Sequence, residues 1–199
     1  MNLSAFRIAA FAAIAILASI LIVWQFGLLS PDGRKLNKIG GPFELIDHNG
    51  KIRKSAEFKG KFMLIYFGYS YCPDVCPTAL QIMGSALNAL GDNSKKIQPI
   101  FISIDPMRDN PSHLKMYVKN FHPTFLGLTG SQEILKTIAK TYRVYFAKIF
   151  PDKDKKEPEN YLMDHSSIIF LMGKNGNYIT HFNHQTDPSA IAKVLAKRL

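Results

Sequence analysis

The chain has 199 residues, 47% of them hydrophobic and 20% charged, with two cysteines and 25 Lys plus Arg against 15 Asp plus Glu. This balance suits one globular domain with an appendage and excludes a disordered, collagen-like, coiled-coil or disulfide-scaffold chain. The net charge of +10 is not a nucleic-acid signature, because the basic residues are scattered and the one dense cluster, Lys153 to Glu157, is diluted by Asp152, Asp154 and Glu157 into what reads as a solvated loop.

Residues 1–29 read as a short tail followed by a membrane anchor. Ile8 to Trp24 is uncharged and mostly apolar, and the stretch runs on to Leu29 with Gln25 as its only strongly polar interruption. At about 1.5 Å of rise per residue, Ile8 to Leu29 would span roughly 33 Å, close to the thickness of a bilayer core. Arg7 could also open a signal peptide, but Leu28-Leu29-Ser30-Pro31 lacks the small residues of a cleavage site and no cysteine nearby could take a lipid. The reading is therefore one uncleaved transmembrane helix with Trp24 at the interface. Arg34, Lys35 and Lys38 outnumber Arg7, so loop charge alone would put the body in the cytoplasm.

Residues 30–41 form a linker marked by Pro31, Gly33, Gly40 and Gly41, and the body occupies 42–199. Phe43 to Ile46 and Phe62 to Tyr69 read as two strands across the turn Asn49-Gly50. A helix follows, opened by Pro77 in its first turn, carrying Leu80, Met83, Leu87 and Leu90 at three- and four-residue spacing and closed by Gly91. Ile97 to Ile104 is an apolar, β-branched strand, and Pro111 to Asn120 and Ser131 to Tyr142 are helical. A hairpin region from Arg143 to Met163 leads to a buried strand, Ile168 to Met172. After the turn Asn175-Gly176 come a strand from Tyr178 to Phe182 and a last helix from Pro188, capped by Asp187. Strands separated by helices imply a largely parallel sheet with helices on its faces.

Both cysteines fall in Tyr69-Ser70-Tyr71-Cys72-Pro73-Asp74-Val75-Cys76-Pro77-Thr78, where a buried strand meets a helix N-terminus. The partial positive charge of that terminus favours thiolate, the form that metals and disulfide exchange both require. Four positions apart on a helical turn, the two Cα atoms would lie about 6 Å apart, within disulfide range. Two buried cysteines acting as small hydrophobes are the bland alternative. The spacing departs from the Cys-x-x-Cys of thioredoxin-type enzymes, and Pro73 and Tyr69 stand where a peroxidatic cysteine would need Thr. Two thiolates are too few for closed tetrahedral zinc, whereas two thiolates and one imidazole suit Cu(I) or Cu(II).

Six histidines could supply that imidazole. His48, His113 and His122 sit in polar surroundings, and His181 and His184, three apart on an extended strand, point to opposite faces. His165 differs because Asp164-His165-Ser166-Ser167 runs straight into the strand Ile168 to Met172. In a thioredoxin-like sheet the loop before that strand packs against the cysteine turn.

Tyr66-Phe67-Gly68-Tyr69-Ser70-Tyr71-Cys72-Pro73-Asp74-Val75-Cys76-Pro77, Phe101-Ile102-Ser103-Ile104-Asp105-Pro106 with Arg108-Asp109-Asn110-Pro111, and Tyr161-Leu162-Met163-Asp164-His165-Ser166-Ser167 together resemble the Sco/SenC family. The match covers the body from about Gly41 onward, and its ligand motifs show no departure. The resemblance implies an α/β, thioredoxin-like fold with a mixed sheet flanked by helices, a β-hairpin inserted over Tyr145 to Tyr161, and one N-terminal transmembrane helix. It also implies copper bound by Cys72, Cys76 and His165, and delivery to the dinuclear copper centre of cytochrome c oxidase. Asp164 would orient His165, tune the charge of the site or cap a turn, with Asp74 and Asp105 in similar roles; Met163 offers a soft thioether or packs, and Phe67, Tyr69 and Tyr71 would shape the strand end.

The expected function is a membrane-anchored copper metallochaperone whose partners are the copper-binding subunit of cytochrome c oxidase and an upstream copper donor or thiol reductant. One rival is a thiol-disulfide reductase that keeps the oxidase cysteines reduced through Cys72 and Cys76, with His165 dispensable. Another is a copper-responsive redox sensor. An accessible dithiol serving an oxidase must face the periplasm or the mitochondrial intermembrane space, which overrides the loop charge. Without an Arg- and Ser-rich presequence, the bacterial inner membrane is the expected location.

Overall fold

The computed structural model describes residues 3–25, 38–150 and 160–199. The chain divides into two compact units, Met1–Lys38 and Ile39–Leu199. In the first, helix α1 runs over Leu3–Gln25 and leaves Phe11, Ile14, Ile16, Leu17, Ile20, Leu21 and Ile22 exposed. Its side chains are described at Arg7 and 11–22, and among the described residues no helix is long and apolar enough to cross a membrane. The side chain of Trp24, Phe26 to Leu29 and residues 30–37 of the linker lie outside the described residues, as does the basic cluster at Lys153 to Glu157.

The second unit is built on a seven-stranded mixed sheet of order β2-β1-β5-β4-β3-β8-β9. Its strands are β1 (Glu44–Asp47), β2 (Ile52–Lys54), β3 (Phe62–Gly68), β4 (Ile97–Ser103), β5 (Leu126–Thr129), β8 (Ile168–Met172) and β9 (Tyr178–Asn183). A separate two-stranded ribbon pairs β6 (Phe146–Ile149) with β7 (Leu162–His165). This ribbon is the expected hairpin, and its residues 151–159 lie outside the described ones.

Every residue of β3 is buried, which its unbroken apolar run dictates for a central strand. The parallel pairs β3–β4 and β4–β5 are joined through helices α2 (Val75–Ala89) and α3 (Pro111–Val118). The pairs β1–β2, β1–β5, β3–β8 and β8–β9 are antiparallel. The sheet is thus mixed rather than largely parallel; tight loops at Asn49-Gly50 and Asn175-Gly176 reverse the chain from β1 to β2 and from β8 to β9, closed by the Asp47 amide on the Lys51 carbonyl at 2.8 Å and the Gly173 amide on the Asn177 carbonyl at 2.7 Å. The Asn49-Gly50 turn therefore leads into the short edge strand β2, and not directly to Phe62.

Helix ends follow their sequence signals. Asn110 accepts the His113 amide and Pro111 opens α3; Ser131 caps α4 (Gln132–Thr141); Asp187 accepts the Ser189 amide at 2.6 Å and Pro188 opens α5 (Pro188–Ala196). Helix α2 lies against α5, and α3 against β5. Phe67, Tyr142 and Phe170 form mutual ring contacts in the core, with centroids 5.2–6.2 Å apart.

Candidate metal centre

Two separately built elements meet at the C-terminal end of β3. After Gly68 the chain turns through Tyr69, Ser70 and Tyr71 to half-buried Cys72, then enters α2, whose first turn places Cys76 fully inside the core. The Cys72 amide closes the turn on the Tyr69 carbonyl at 3.3 Å, and the Cys72 sulfur accepts the Cys76 amide at 3.4 Å, capping one of the open N–H groups of the helix. Gly68 is a steric requirement here: a Cβ would sit 2.8 Å from Cys76 Sγ and 2.9 Å from Tyr66 Cε1.

The second element is the β6–β7 ribbon. His165 is the last residue of β7, paired with Phe146, and so lies on a strand rather than in the loop expected before β8. Its Nε2 is 3.3 Å from Cys76 Sγ. The sulfurs of Cys72 and Cys76 and a ring nitrogen of His165 all lie within 4.8 Å of one another, so these three side chains could hold one metal ion. His165 Nδ1 lies 3.2 Å from the Ser166 carbonyl, a contact that orients the ring with Nε2 toward the sulfurs. The rings of Tyr66 and Tyr69 stand nearly perpendicular to the imidazole at centroid distances of 6.1 and 6.0 Å.

The two thiols differ sharply. A hydrogen bond from Cys76, burial working the other way, and further bonds from His165 and the amides of Cys76 and Asp74 together hold the Cys72 thiol well below its ordinary range. The hydrogen bond to Cys72, burial and the charge on Cys72 push Cys76 up. Cys76 is thus the sulfur that holds its proton more tightly, and a metal that takes both sulfurs must displace that proton.

The remaining expectations separate cleanly. Asp164 is exposed on β7 next to His165 and, by strand alternation, faces the other way; the imidazole is oriented by the Ser166 carbonyl instead. Asp74 is exposed at the start of α2, where its carbonyl accepts the Thr78 amide at 3.1 Å. Asp105 is buried and ion-paired with Arg108 at 2.6 Å. Met163 packs in the core. His48 Nδ1 accepts the Gly127 amide, His122 bonds Thr124, and His181 bonds Tyr178, so each is occupied away from the cysteines. His113 is closer to the site than its sequence context suggests, since it bonds Ser70 Oγ at 2.8 Å and stacks on Tyr71.

A thioredoxin-like sheet carrying a dithiol at a strand-to-helix junction, with one histidine swung over it by an inserted hairpin, defines a class of soft-metal-binding proteins. The SCO1/SenC family model matches residues 31–199, and the chain belongs to that family. It is 47% identical over 145 residues to the SCO2-like protein RP587 of Rickettsia prowazekii, covering 73% of this chain and 69% of that one. Among solved structures it is similar to Bradyrhizobium japonicum ScoI with copper bound, at 42% identity and a TM-score of 0.73, covering 81% of this chain and 99% of that one. It is also similar to BsSco, described as a member of the Sco family of cytochrome c oxidase assembly proteins and as having a disulfide switch, at 25% identity and a TM-score of 0.65, covering 81% of this chain and 94% of that one.

Proposed function

We propose that this protein is a membrane-anchored copper metallochaperone that takes copper on Cys72, Cys76 and His165 and hands it to the dinuclear copper site of cytochrome c oxidase. The observation that carries the reading is the convergence of two thiols and one imidazole within 4.8 Å at the end of a buried strand. Two soft sulfurs suit Cu(I), and the added nitrogen accommodates Cu(II). Cys72 and His165 are half-buried, which leaves one side open to an acceptor's cysteines. Copper then leaves by ligand exchange: each incoming thiolate replaces one donor of this chain, and the freed Cys76 thiolate regains its proton. The copper-bound ScoI relative and the family of oxidase assembly proteins to which BsSco belongs support this assignment.

In this reading α1 is the anchor. It carries most of the apolar stretch Ile8 to Leu29, whose length as a helix, roughly 33 Å, matches a bilayer core. The body faces the periplasm at a bacterial inner membrane, or the intermembrane space in a mitochondrion, because that is where an oxidase copper site is assembled. A periplasm-active reporter fused after Leu199 should be active, and silence there would overturn the topology.

The direct test loads the reduced full chain with copper anaerobically and compares it with His165→Ala. One copper per chain with sulfur and nitrogen scattering, weakened at least tenfold by the substitution, is the expected result. Copper binding indifferent to His165 would instead favour a thiol-disulfide reductase acting on the oxidase cysteines. That second reading has its own observation: two free thiols within 4.8 Å, with the Cys72 thiol pushed below its ordinary range. It predicts that His165→Ala still reduces a disulfide-bonded acceptor peptide at the wild-type rate.

A further inference from the structure

We infer that the loop of residues 105–109 is a brace that holds His165 in register with the cysteine turn, with Arg108 and Asp109 as its positioning residues. The inference rests on the ligand set proposed above. A hairpin of two four-residue strands is only marginally stable alone in water, so the place of His165 is set by ties to the body. One end of β7 is tied through Ser167, whose hydroxyl is 3.0 Å from that of Tyr66. The other end is tied through the loop.

Toward the histidine, the Arg108 guanidinium works as a fork. Its Nη1 donates to the Tyr161 carbonyl at 2.9 Å and its Nε to Asp105 Oδ2 at 2.6 Å. The Tyr161 hydroxyl donates to Asp105 Oδ1 at 2.6 Å, and the guanidinium carbon lies 3.7 Å from the centre of the Tyr161 ring. Tyr161 immediately precedes β7 and stands four residues before His165. Lys148, from β6, places its ammonium 3.8 Å from the centre of the same ring, so both strands of the ribbon are held.

Toward the cysteines, the fully buried Asp109 carboxylate accepts the Ser70 amide at 3.0 Å, the Ser70 hydroxyl, and the Ser103 hydroxyl at 2.6 Å. Ser70 lies two residues before Cys72. The loop is itself closed: the Asp109 amide donates to the Asp105 carbonyl at 2.9 Å, and the Asp105 amide to Ser103 Oγ at 3.0 Å. One rigid five-residue segment therefore grips both ligand-bearing elements.

Cu(I) is satisfied by two thiolates, whereas Cu(II) depends more on the imidazole. Loosening the brace should therefore cost Cu(II) binding much more than Cu(I) binding. In the full chain, competition titrations with both ions, and amide hydrogen exchange of the metal-free protein, should be compared for wild type, Arg108→Ala, Arg108→Lys, Tyr161→Phe and His165→Ala. Arg108→Ala should lower the Cu(II)-to-Cu(I) affinity ratio at least tenfold, which is 59 mV for a one-electron couple. It should also speed exchange over residues 162–165 at least tenfold while β3 stays protected. Arg108→Lys keeps the charge but not the planar fork, so it should fall within threefold of Arg108→Ala, and full recovery by Lys would overturn the brace in favour of a charge effect. Tyr161→Phe removes one hydroxyl, should shift both readouts about threefold, and decides the matter if Arg108→Ala does not fold. Folded variants that keep the wild-type ratio and exchange, while His165→Ala loses Cu(II), would sink the brace but not the ligand set. An unchanged ratio in His165→Ala would sink the ligand set, and the exchange measurement would then judge the brace alone.

Discussion

Replacing Gly68 by Ala adds one methyl group at the floor of the site, and the structure sets its cost. The new Cβ would stand 2.8 Å from Cys76 Sγ, 2.9 Å from Tyr66 Cε1 and 3.1 Å from Phe101 Cε2. Unstrained non-bonded contacts lie at about 3.5–4.0 Å, so at least one neighbour must retreat by roughly 0.7 Å. None can swing away, because Cys76, Tyr66 and Phe101 are all 0% exposed and Cys76 is fixed in the first turn of α2. Overpacking of this kind costs about 1–3 kcal/mol. For a folded unit of this size, that is a fall of about 2–12 °C in Tm. Thermal unfolding of the metal-free full chain, followed by circular dichroism, is the assay, and Gly41→Ala is its control. A Cβ at Gly41 meets nothing closer than Thr141 at 3.6 Å, so it should change stability by less than about 0.5 kcal/mol. Because the sulfur is the most direct obstacle, Gly68→Ala should also weaken copper binding. A Tm equal to that of the control would refute the claim that Gly68 is fixed by close packing on the dithiol.

Two further outcomes follow from single side chains. The buried Asp47 carboxylate takes the amides of Asn49 and Lys51 at 2.8 and 3.0 Å and pairs with Arg53 at 3.4 Å. Burial works against its ionisation, yet these partners hold its carboxyl below the usual range. A carboxyl lowered by folding contributes stability that is complete above its unfolded value near 3.9 and fades as pH falls through the lower folded value. Asp47→Ala should therefore cost about 1–3 kcal/mol in urea unfolding at pH 7, and the gap to wild type should narrow by pH 3; a gap independent of pH would count against the ionised turn. Tyr66→Phe removes the hydroxyl that bonds Ser167 at 3.0 Å and approaches Cys76 Sγ at 3.9 Å. It should lower stability by about 0.5–1.5 kcal/mol with copper stoichiometry unchanged, and loss of stoichiometric copper would make the hydroxyl part of the binding set.

Legibility tracked the range of the interaction that decides each feature. The apolar runs that begin at Phe62 and Ile97, the Leu80, Met83 and Leu87 stripe, and the cap at Asp187 are local signals, and each produced the element it announced. Strand β5 escaped notice because Leu126-Gly127-Leu128-Thr129 is short and broken by a glycine. That glycine is there for α3: a Cβ on Gly127 would lie 3.1 Å from Val118. Edge strand β2 is three partly exposed residues with no apolar run to mark it. At the site, both cysteines share one segment and were plain, while His165 was reached only through fold topology and family resemblance. The ties from Arg108 to Tyr161 and from Asp109 to Ser70 join residues 53 and 39 positions apart, and no periodicity records such pairs.

The asymmetry of the three donors says how a site of this kind would release what it holds. Cys76 sits on the core side with no exposure, backed by Gly68 and Tyr66, and its sulfur moves only if that packing moves. Cys72 and His165 are half-buried, one in a turn and the other at the end of a marginal ribbon. Under the proposed function, an acceptor thiolate meets Cys72 and His165 first, and Cys76 stays bonded until a second acceptor sulfur is in place. Copper would then never be free of sulfur during transfer, and the barrier would be set by the looser pair. Substitutions that soften the ribbon should therefore speed release to an acceptor, whereas substitutions beneath Cys76 should weaken retention without speeding it, and stopped-flow transfer to a dithiol acceptor separates the two.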